Sequence, residues 1–325
     1  MKLSILDRSR TRAGAPDAAA LTGSIERAVH AEQRGFHRFW VAEHHAVPGI
    51  ASGSPPVLLA AIGAHTDRIR LGSGGVMLPN HQPLVVAEQF LMLGAMYPGR
   101  IDLGVGRSLG FTTPVREALR RDRNAPDTFV DDLDELRRYL EGGAPVTARP
   151  RVDTAPPMFV LATRRGLDFA ARAGLPVVVG GPILGSTTGK IPELERYRDN
   201  FVPSPGNRKP YVVISLEVMI AHSADAAREL LLPEAWALAV SSRTGEFPAL
   251  EPVSAICDQP WTPRMREQID ASIESSIHGT PDEVRDELDS LFARTGAEEL
   301  LASTSTFDRE ALFESDRKLS LLYRQ

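Results

Sequence analysis

The most constraining feature of this chain is a repeated alternation: a short β-rich run, then a longer amphipathic one, eight times over. The runs Leu3–Asp7, Arg38–Ala42, Ile69–Leu78, Ile101–Val105, Met158–Ala162, Leu175–Val179, Tyr211–Ala221 and Leu300–Ser303 read as strands. Between them lie segments with apolar residues at helical spacing, among them 17–34, 55–65, 83–96, 126–141, 165–173, 224–240, 282–295 and 308–322. Gly35 and Gly296 follow two of these segments, where a left-handed cap is wanted, and Thr280-Pro-Asp-Glu283 has the form of a capping box. Strands separated by crossover helices must be parallel, and eight such units favour closure into a (β/α)8 TIM barrel over an open doubly wound sheet. One stretch breaks the rhythm. Residues 241–263 carry Pro248, Pro252, Pro260 and Pro263 and predict an irregular insertion before the last strand, within a single domain spanning 1–325.

Composition excludes several functions. There are 37 Lys and Arg against 42 Asp and Glu, so the chain lacks the clustered positive excess of a nucleic-acid binder. No run approaches ~18 uninterrupted apolar residues, so no membrane span is expected. The N-terminus reaches charge at once with no apolar leader, which predicts a cytoplasmic protein. Cys257 is the single cysteine, so no internal disulfide can form and a cysteine-based metal site is not expected. It reads as a small apolar filler.

In such a barrel the chemistry sits at the carboxyl ends of the strands. Those ends here carry Asp7, Glu43-His44-His45, Ser73-Gly74-Gly75 with Asn80-His81, Gly106-Arg107-Ser108, Ala162-Thr163-Arg164, Gly180-Gly181 and Ser303-Thr304. Imidazole exchanges a proton near neutral pH, which makes the histidine pair the most chemical cluster. Adjacent strand residues face opposite sides, so His44 and His45 cannot both enter one site if the strand continues through them; the same argument weakens a zinc reading, which wants three convergent ligands. Ser73-Gly74-Gly75 fits either a bulge against a flat cofactor or the geometry of a barrel corner. Arg107 suits a phosphate, and so does the strand-to-helix turn at Thr163-Arg164 with Gly166. Rim ion pairing and ordinary capping are the plainer uses of the same residues. Gly106-Arg-Ser-Leu-Gly110 matches a hydrolase nucleophile elbow, but the next helix starts at Thr112-Thr113-Pro114, too late for one.

Several blocks together resemble the luciferase-like monooxygenase family of flavin-dependent barrels. They are Phe39-Trp-Val-Ala-Glu-His-His45, Ile69-Arg-Leu-Gly-Ser-Gly-Gly-Val-Met-Leu-Pro-Asn-His81, Pro83-Leu-Val-Val-Ala-Glu-Gln-Phe90, Pro98-Gly-Arg-Ile-Asp-Leu-Gly-Val-Gly-Arg107 and His278-Gly-Thr-Pro-Asp-Glu-Val284. The likeness is greatest to antibiotic and polyketide tailoring members, which belong to secondary metabolism. It implies reduced FMN delivered by a separate flavin reductase, and a flavin hydroperoxide that oxygenates a small-molecule substrate. It also implies a non-prolyl cis peptide at Ser73-Gly74 or Gly74-Gly75 behind the flavin ring, with Asn80 beside the ring. His44 becomes the catalytic acid or base, and Arg107, Thr163, Arg164 and Gly166 the phosphate contacts. Asp7, Arg8, His45 and Leu109 fall on the substrate side, with loops 107–125 and 241–263 lining the pocket. No metal is implied. Arg8-Ser9-Arg10 departs from the family's usual Gln-Ser-Pro and places a cation near the substrate mouth. Two relatives in function remain as alternatives, a deazaflavin-dependent hydride-transfer enzyme and a non-catalytic flavin-binding barrel. Family habit further implies a homodimer packed through early helices, and the helix at 83–96 is apolar nearly all round.

Overall fold

The computed structural model describes all residues except 111, 122–126, 163, 185–188 and 324–325, together with all side chains of the remainder except Arg164 and Pro182. Its first half runs β1 (Lys2–Asp7), α1 (Ala18–Gln33), β2 (Arg38–Val41), α2 (Pro55–Gly63), β3 (Arg70–Ser73), β4 (Val76–Met77), α3 (Pro83–Met96), β5 (Ile101–Gly106), α4 (Thr113–Ala118) and α5 (Phe129–Glu141). The second half runs β6 (Met158–Leu161), α6 (Arg164–Ala173), β7 (Val177–Gly180), α7 (Pro192–Asp199), β8 (Val212–Leu216), β9 (Val218–Ile220), α8 (Ala224–Thr244), α9 (Val253–Cys257), α10 (Pro263–Glu274), β10 (Ile277–Gly279), α11 (Pro281–Thr295), β11 (Glu299–Ala302) and α12 (Arg309–Leu321).

β1 lies between β2 and β11, and the ring closes through β8, β7, β6 and β5 back to β3, every pair parallel. β3 and β4 are two halves of one strand. Both pair with β5, Leu71 opposite Ile101 and Val76 opposite Val105, so the sheet closes as eight staves. This is the expected TIM barrel.

The capping box at Thr280 and Glu283 forms as the sequence predicts, and Gly296 ends α11 at φ 58°. Two expectations change. The strand expected over 211–221 divides at Glu217: β8 stays in the barrel, while β9 leaves it to pair with β10. The insertion is also larger and more regular than 241–263. α8 continues to Thr244 before Gly245 stops it at φ 77°, and α9 and α10 follow. These elements own a separate core around Leu231, Trp236, Ile256, Met265, Ile269 and Ile273. Cys257, read as an apolar filler, is exposed.

The barrel interior is layered. Trp40, Phe159, Val178, Val213 and Leu301 pack together in its middle. Toward the amino ends of the strands lies a buried charged layer. Arg38 bonds Asp102 at 2.6 Å and Glu299 at 3.0 Å, and Arg70 also bonds Asp102, at 2.5 Å. Ser4 and Tyr211 donate to Glu299, and the Arg38 guanidinium stacks on Phe159. Every charge in this layer has an opposite partner, the condition for burying ions at all. No helix among the described residues is long and apolar enough to cross a membrane.

Candidate active site

β2 ends at Val41, and its extension carries Glu43, His44 and His45 to the carboxyl end of the barrel. The loop is pinned where it turns: the His44 amide donates to the Ser52 carbonyl at 2.9 Å, and the Ser52 hydroxyl to the Ala42 carbonyl at 2.6 Å. Beyond the end of β2, the side chains of Glu43 and His45 meet. Glu43 is buried. Its Oε1 takes the Nε2 groups of His45 and of His81, each at 2.7 Å, and its Oε2 accepts the Met77 amide at 3.0 Å. The sequence argument against convergent ligands concerned the histidine pair and did not anticipate His81. The donor atoms of Glu43, His45 and His81 all lie within 4.8 Å of one another. Two nitrogens crowding a single oxygen is nevertheless hydrogen-bond geometry, because a divalent ion would hold each donor ~2.0–2.2 Å from itself and spread them apart.

His44 sits half-buried, and burial together with the Arg8 and Arg10 guanidiniums lowers its pKa to about 4. Its ring is therefore neutral at physiological pH and carries no imidazolium proton to give. The two arginines belong to a charge cluster. Arg8 bridges Glu217 and Glu234, both at 2.9 Å, and Arg10 bonds the other oxygen of Glu234 at 2.8 Å. Burial raises the Glu217 carboxyl despite Arg8 beside it. The cation expected near the mouth is therefore present and neutralised. Asp7 is committed elsewhere: Arg27 at 3.0 Å, the Ser24 hydroxyl at 2.6 Å and the Ser9 amide at 2.7 Å hold its carboxyl ionised and below the usual range, against its burial.

The glycines at the strand break have a steric reason. A Cβ on Gly74 would lie 2.5 Å from Leu6 Cδ1, and one on Gly75 would lie 2.9 Å from the Gly104 carbonyl. The backbone contact leaves no room for a side chain at Gly75, whereas at Gly74 the Leu6 side chain would have to move; the Gly74–Gly75 peptide is cis. Ser73 donates to the Gly104 carbonyl at 2.8 Å. Beyond β4 a turn, Leu78–Asn80, presents Asn80, whose amide oxygen and nitrogen are both buried and without a hydrogen-bond partner among the described residues.

The proposed phosphate residues lie on neighbouring strand ends. Arg107 follows β5 and pairs with Asp127, both well exposed. Arg164 and Gly166 lie in the first turn of α6, while Thr163 falls outside the described residues. Leu109 is 38% exposed in the loop before α4, whose cap is Thr112 as the sequence suggests. Ser108 thus stands apart from any strand-to-helix elbow. A cavity of about 950 Å3 opens at this end of the barrel, walled by Arg8, Ser215, Glu217 and Ser303 from the strand ends and by α8, α10 and α11. Segment 245–252 does not line this cavity; it lies against the loops after β1 and β2, where Leu250 meets Thr11 and Phe247 meets Gly49. Another cavity, of about 640 Å3, lies at the amino ends of β5 and β6 beside Arg70, away from the carboxyl-end residues described in this section.

The sequence profile described as luciferase-like monooxygenase matches residues 1–299. The chain belongs to this family. It is 36% identical over 320 residues to a luciferase-like monooxygenase of Escherichia coli strain K12, covering 96% of this chain and 94% of that one. The crystal structure of apo-MsnO8 superposes with a TM-score of 0.87 at 34% identity, over 99% of this chain and 97% of that one. More distant structures share the fold. The oxygenating constituent of 3,6-diketocamphane monooxygenase from Pseudomonas putida, in complex with FMN, has a TM-score of 0.72 at 18% identity over 99% of this chain and 97% of that one. An F420-dependent secondary alcohol dehydrogenase has 0.71 at 16%, over 100% and 99%.

The site of this luciferase-like monooxygenase suits a flavin in its donor chemistry. Asn80 offers an unmet donor and acceptor side by side, the complement of a planar N–H and carbonyl edge. Arg107 is an exposed cation of the kind that binds phosphates, here paired with Asp127. Sequence reasoning missed Glu217 and Glu234. The signal for Glu217 was present: it is the one charge inside Val212-Val-Ile-Ser-Leu-Glu-Val-Met-Ile220, and it stands where the strand divides. Glu234 gives no such sign, since an acid in a helix is ordinary.

Proposed function

We propose that this protein is a monooxygenase that uses reduced FMN and O2 to oxygenate a small organic substrate, with His44 as its proton acceptor. The reading is carried by His44, a neutral imidazole at the barrel mouth beside an ion cluster, which a purely binding barrel would not need. Bound reduced FMN would supply the electrons that activate O2 for transfer of one oxygen atom. The chain's own part is to hold and orient. Arg107, with Arg164, Thr163 and Gly166, would hold the phosphate; Gly74–Gly75 and Ser73 would back the ring, and Asn80 would bond its edge. The cavity beside Arg8 would admit the substrate. A separate reductase would deliver the reduced flavin in the cytoplasm. A homodimer would cover Val57 of α2 and Val85, Met92 and Met96 of α3, which are 71%, 45%, 53% and 51% exposed.

The test is anaerobic titration with FMN, reduced FMN and reduced deazaflavin, followed by oxygen. Preferential binding of reduced FMN with oxygen consumption is expected. Tight deazaflavin binding without oxygen consumption would favour hydride transfer instead, the activity of the F420-dependent relative in fold.

Arg107→Ala is expected to weaken FMN about 10–100-fold, the loss of a charged hydrogen bond, and riboflavin by less than about twofold. Equal weakening of both in a fluorescence titration would remove Arg107 from the phosphate site. Because His44 titrates at about 4 instead of its ordinary 6.5, its protonation should cut kcat/KM only near pH 4. Between those values the unfolded chain takes up a proton that folded His44 refuses, so its contribution to stability falls as the pH drops. A limb in kcat/KM near 6.5 that disappears in His44→Gln would contradict the neutral assignment.

A further inference from the structure

We propose that Glu43 is a positioning residue for the flavin ring, fixing the turn that carries Asn80 against the Gly74–Gly75 bend; the inference rests on the flavin reading above. A carboxylate whose side chain is 1% exposed must be satisfied by the protein. Its donors are distributed to a purpose. Met77 enters the turn Leu78–Asn80 and His81 leaves it, so a single side chain grips both ends. His45 anchors the same carboxylate to the loop that carries His44. The turn is thereby tied to the end of β2 through one group.

Asn80 lies inside this grip. Its carboxamide is the part of the turn left unsatisfied, and buried polar atoms without partners carry a desolvation cost that a ligand edge would relieve. Among the described residues Glu43 bonds only Met77, His81 and the β2 loop, so its effect on the ring would act through the segments it holds, the turn with Asn80 foremost.

The substitution Glu43→Gln keeps the shape and removes the logic. If the amide oxygen faces His45 and His81, the NH2 faces the Met77 N–H, donor against donor. Reversed, the NH2 faces the two imidazoles. That arrangement holds only if both rings move their protons to Nδ1, so the grip is loosened either way. His81→Leu releases one end of the turn, whereas His81→Gln retains an N–H donor at a similar reach.

The experiment measures dissociation constants of FMN and riboflavin for the wild type and these three variants, with melting temperatures of the flavin-free proteins. Both ligands share the ring, so Glu43→Gln and His81→Leu should weaken both by the same factor, about tenfold or more. His81→Gln should stay within about threefold of wild type. Unchanged constants in Glu43→Gln, or loss confined to FMN, would overturn the proposal. So would equal damage from His81→Gln and His81→Leu accompanied by a fall in melting temperature, which would mark mere packing. Tight zinc binding that Glu43→Gln abolishes would replace the hydrogen-bonded grip with a metal site. A wild type that binds neither flavin would defeat the flavin reading itself, and this inference with it; failure of this inference alone shows only in the variants.

Discussion

His44→Ala is expected to lower turnover by about 10²–10⁴-fold, the usual worth of a placed acid or base, while reduced FMN binds within about threefold of wild type. The asymmetry follows from the surroundings of the ring. His44 is set against the Arg8 and Arg10 charges, which with burial keep it neutral. The residues that would grip the cofactor lie on other strand ends: Arg107 after β5, Gly74–Gly75 between β3 and β4, and Asn80 beyond β4. Removing the imidazole therefore removes a proton acceptor without dismantling the cradle. Single-turnover kinetics with a fixed substrate, paired with an anaerobic binding titration, separates the two. Loss of flavin affinity equal to the loss of rate would make His44 part of the cradle.

Asp102→Ala is expected to cost about 3–5 kcal/mol of folding stability, the loss typical when one partner of a buried ion pair is removed. Asp102 is fully buried and receives Arg38, Arg70 and the Trp40 indole N–H at 2.6, 2.5 and 3.3 Å. Its removal leaves Arg70 without a carboxylate among the described residues and Arg38 with Glu299 alone. Denaturant unfolding should show a lower midpoint at unchanged slope. A loss under about 1 kcal/mol would mean that water reaches the layer and satisfies the arginines. Flavin affinity should not move, since this layer lies at the opposite end of the strands.

The barrel was legible because each stave announces itself twice, by an apolar run and by the helix that follows. What escaped the sequence depends on choices that no local pattern records. Val212–Ile220 reads as one strand, yet tertiary pairing splits it, because the second half finds β10 and a separate core. Gly72, inside β3, carries no mark of its role in the sequence. The structure shows a Cβ there only 2.4 Å from Trp40 Nε1, so the indole in the barrel interior dictates the glycine 32 residues later. The strand-end rule points to His44, Asn80 and Arg107, which follow the carboxyl ends of β2, β4 and β5. It could not say that Asp7 is spent on Arg27 or that Arg8 is held between two acids. Those facts belong to partners 20, 209 and 226 positions away in the chain.

The ionic floor of the barrel has a kinetic consequence. A vessel stoppered at one end has a single doorway, and its occupants must queue. A cofactor held against the Gly74–Gly75 bend, as proposed, would enter before anything stacked above it and depart last, while substrate and product would trade places over it. Saturating substrate should then slow the escape of bound cofactor, as a late arrival blocks the exit of an early one.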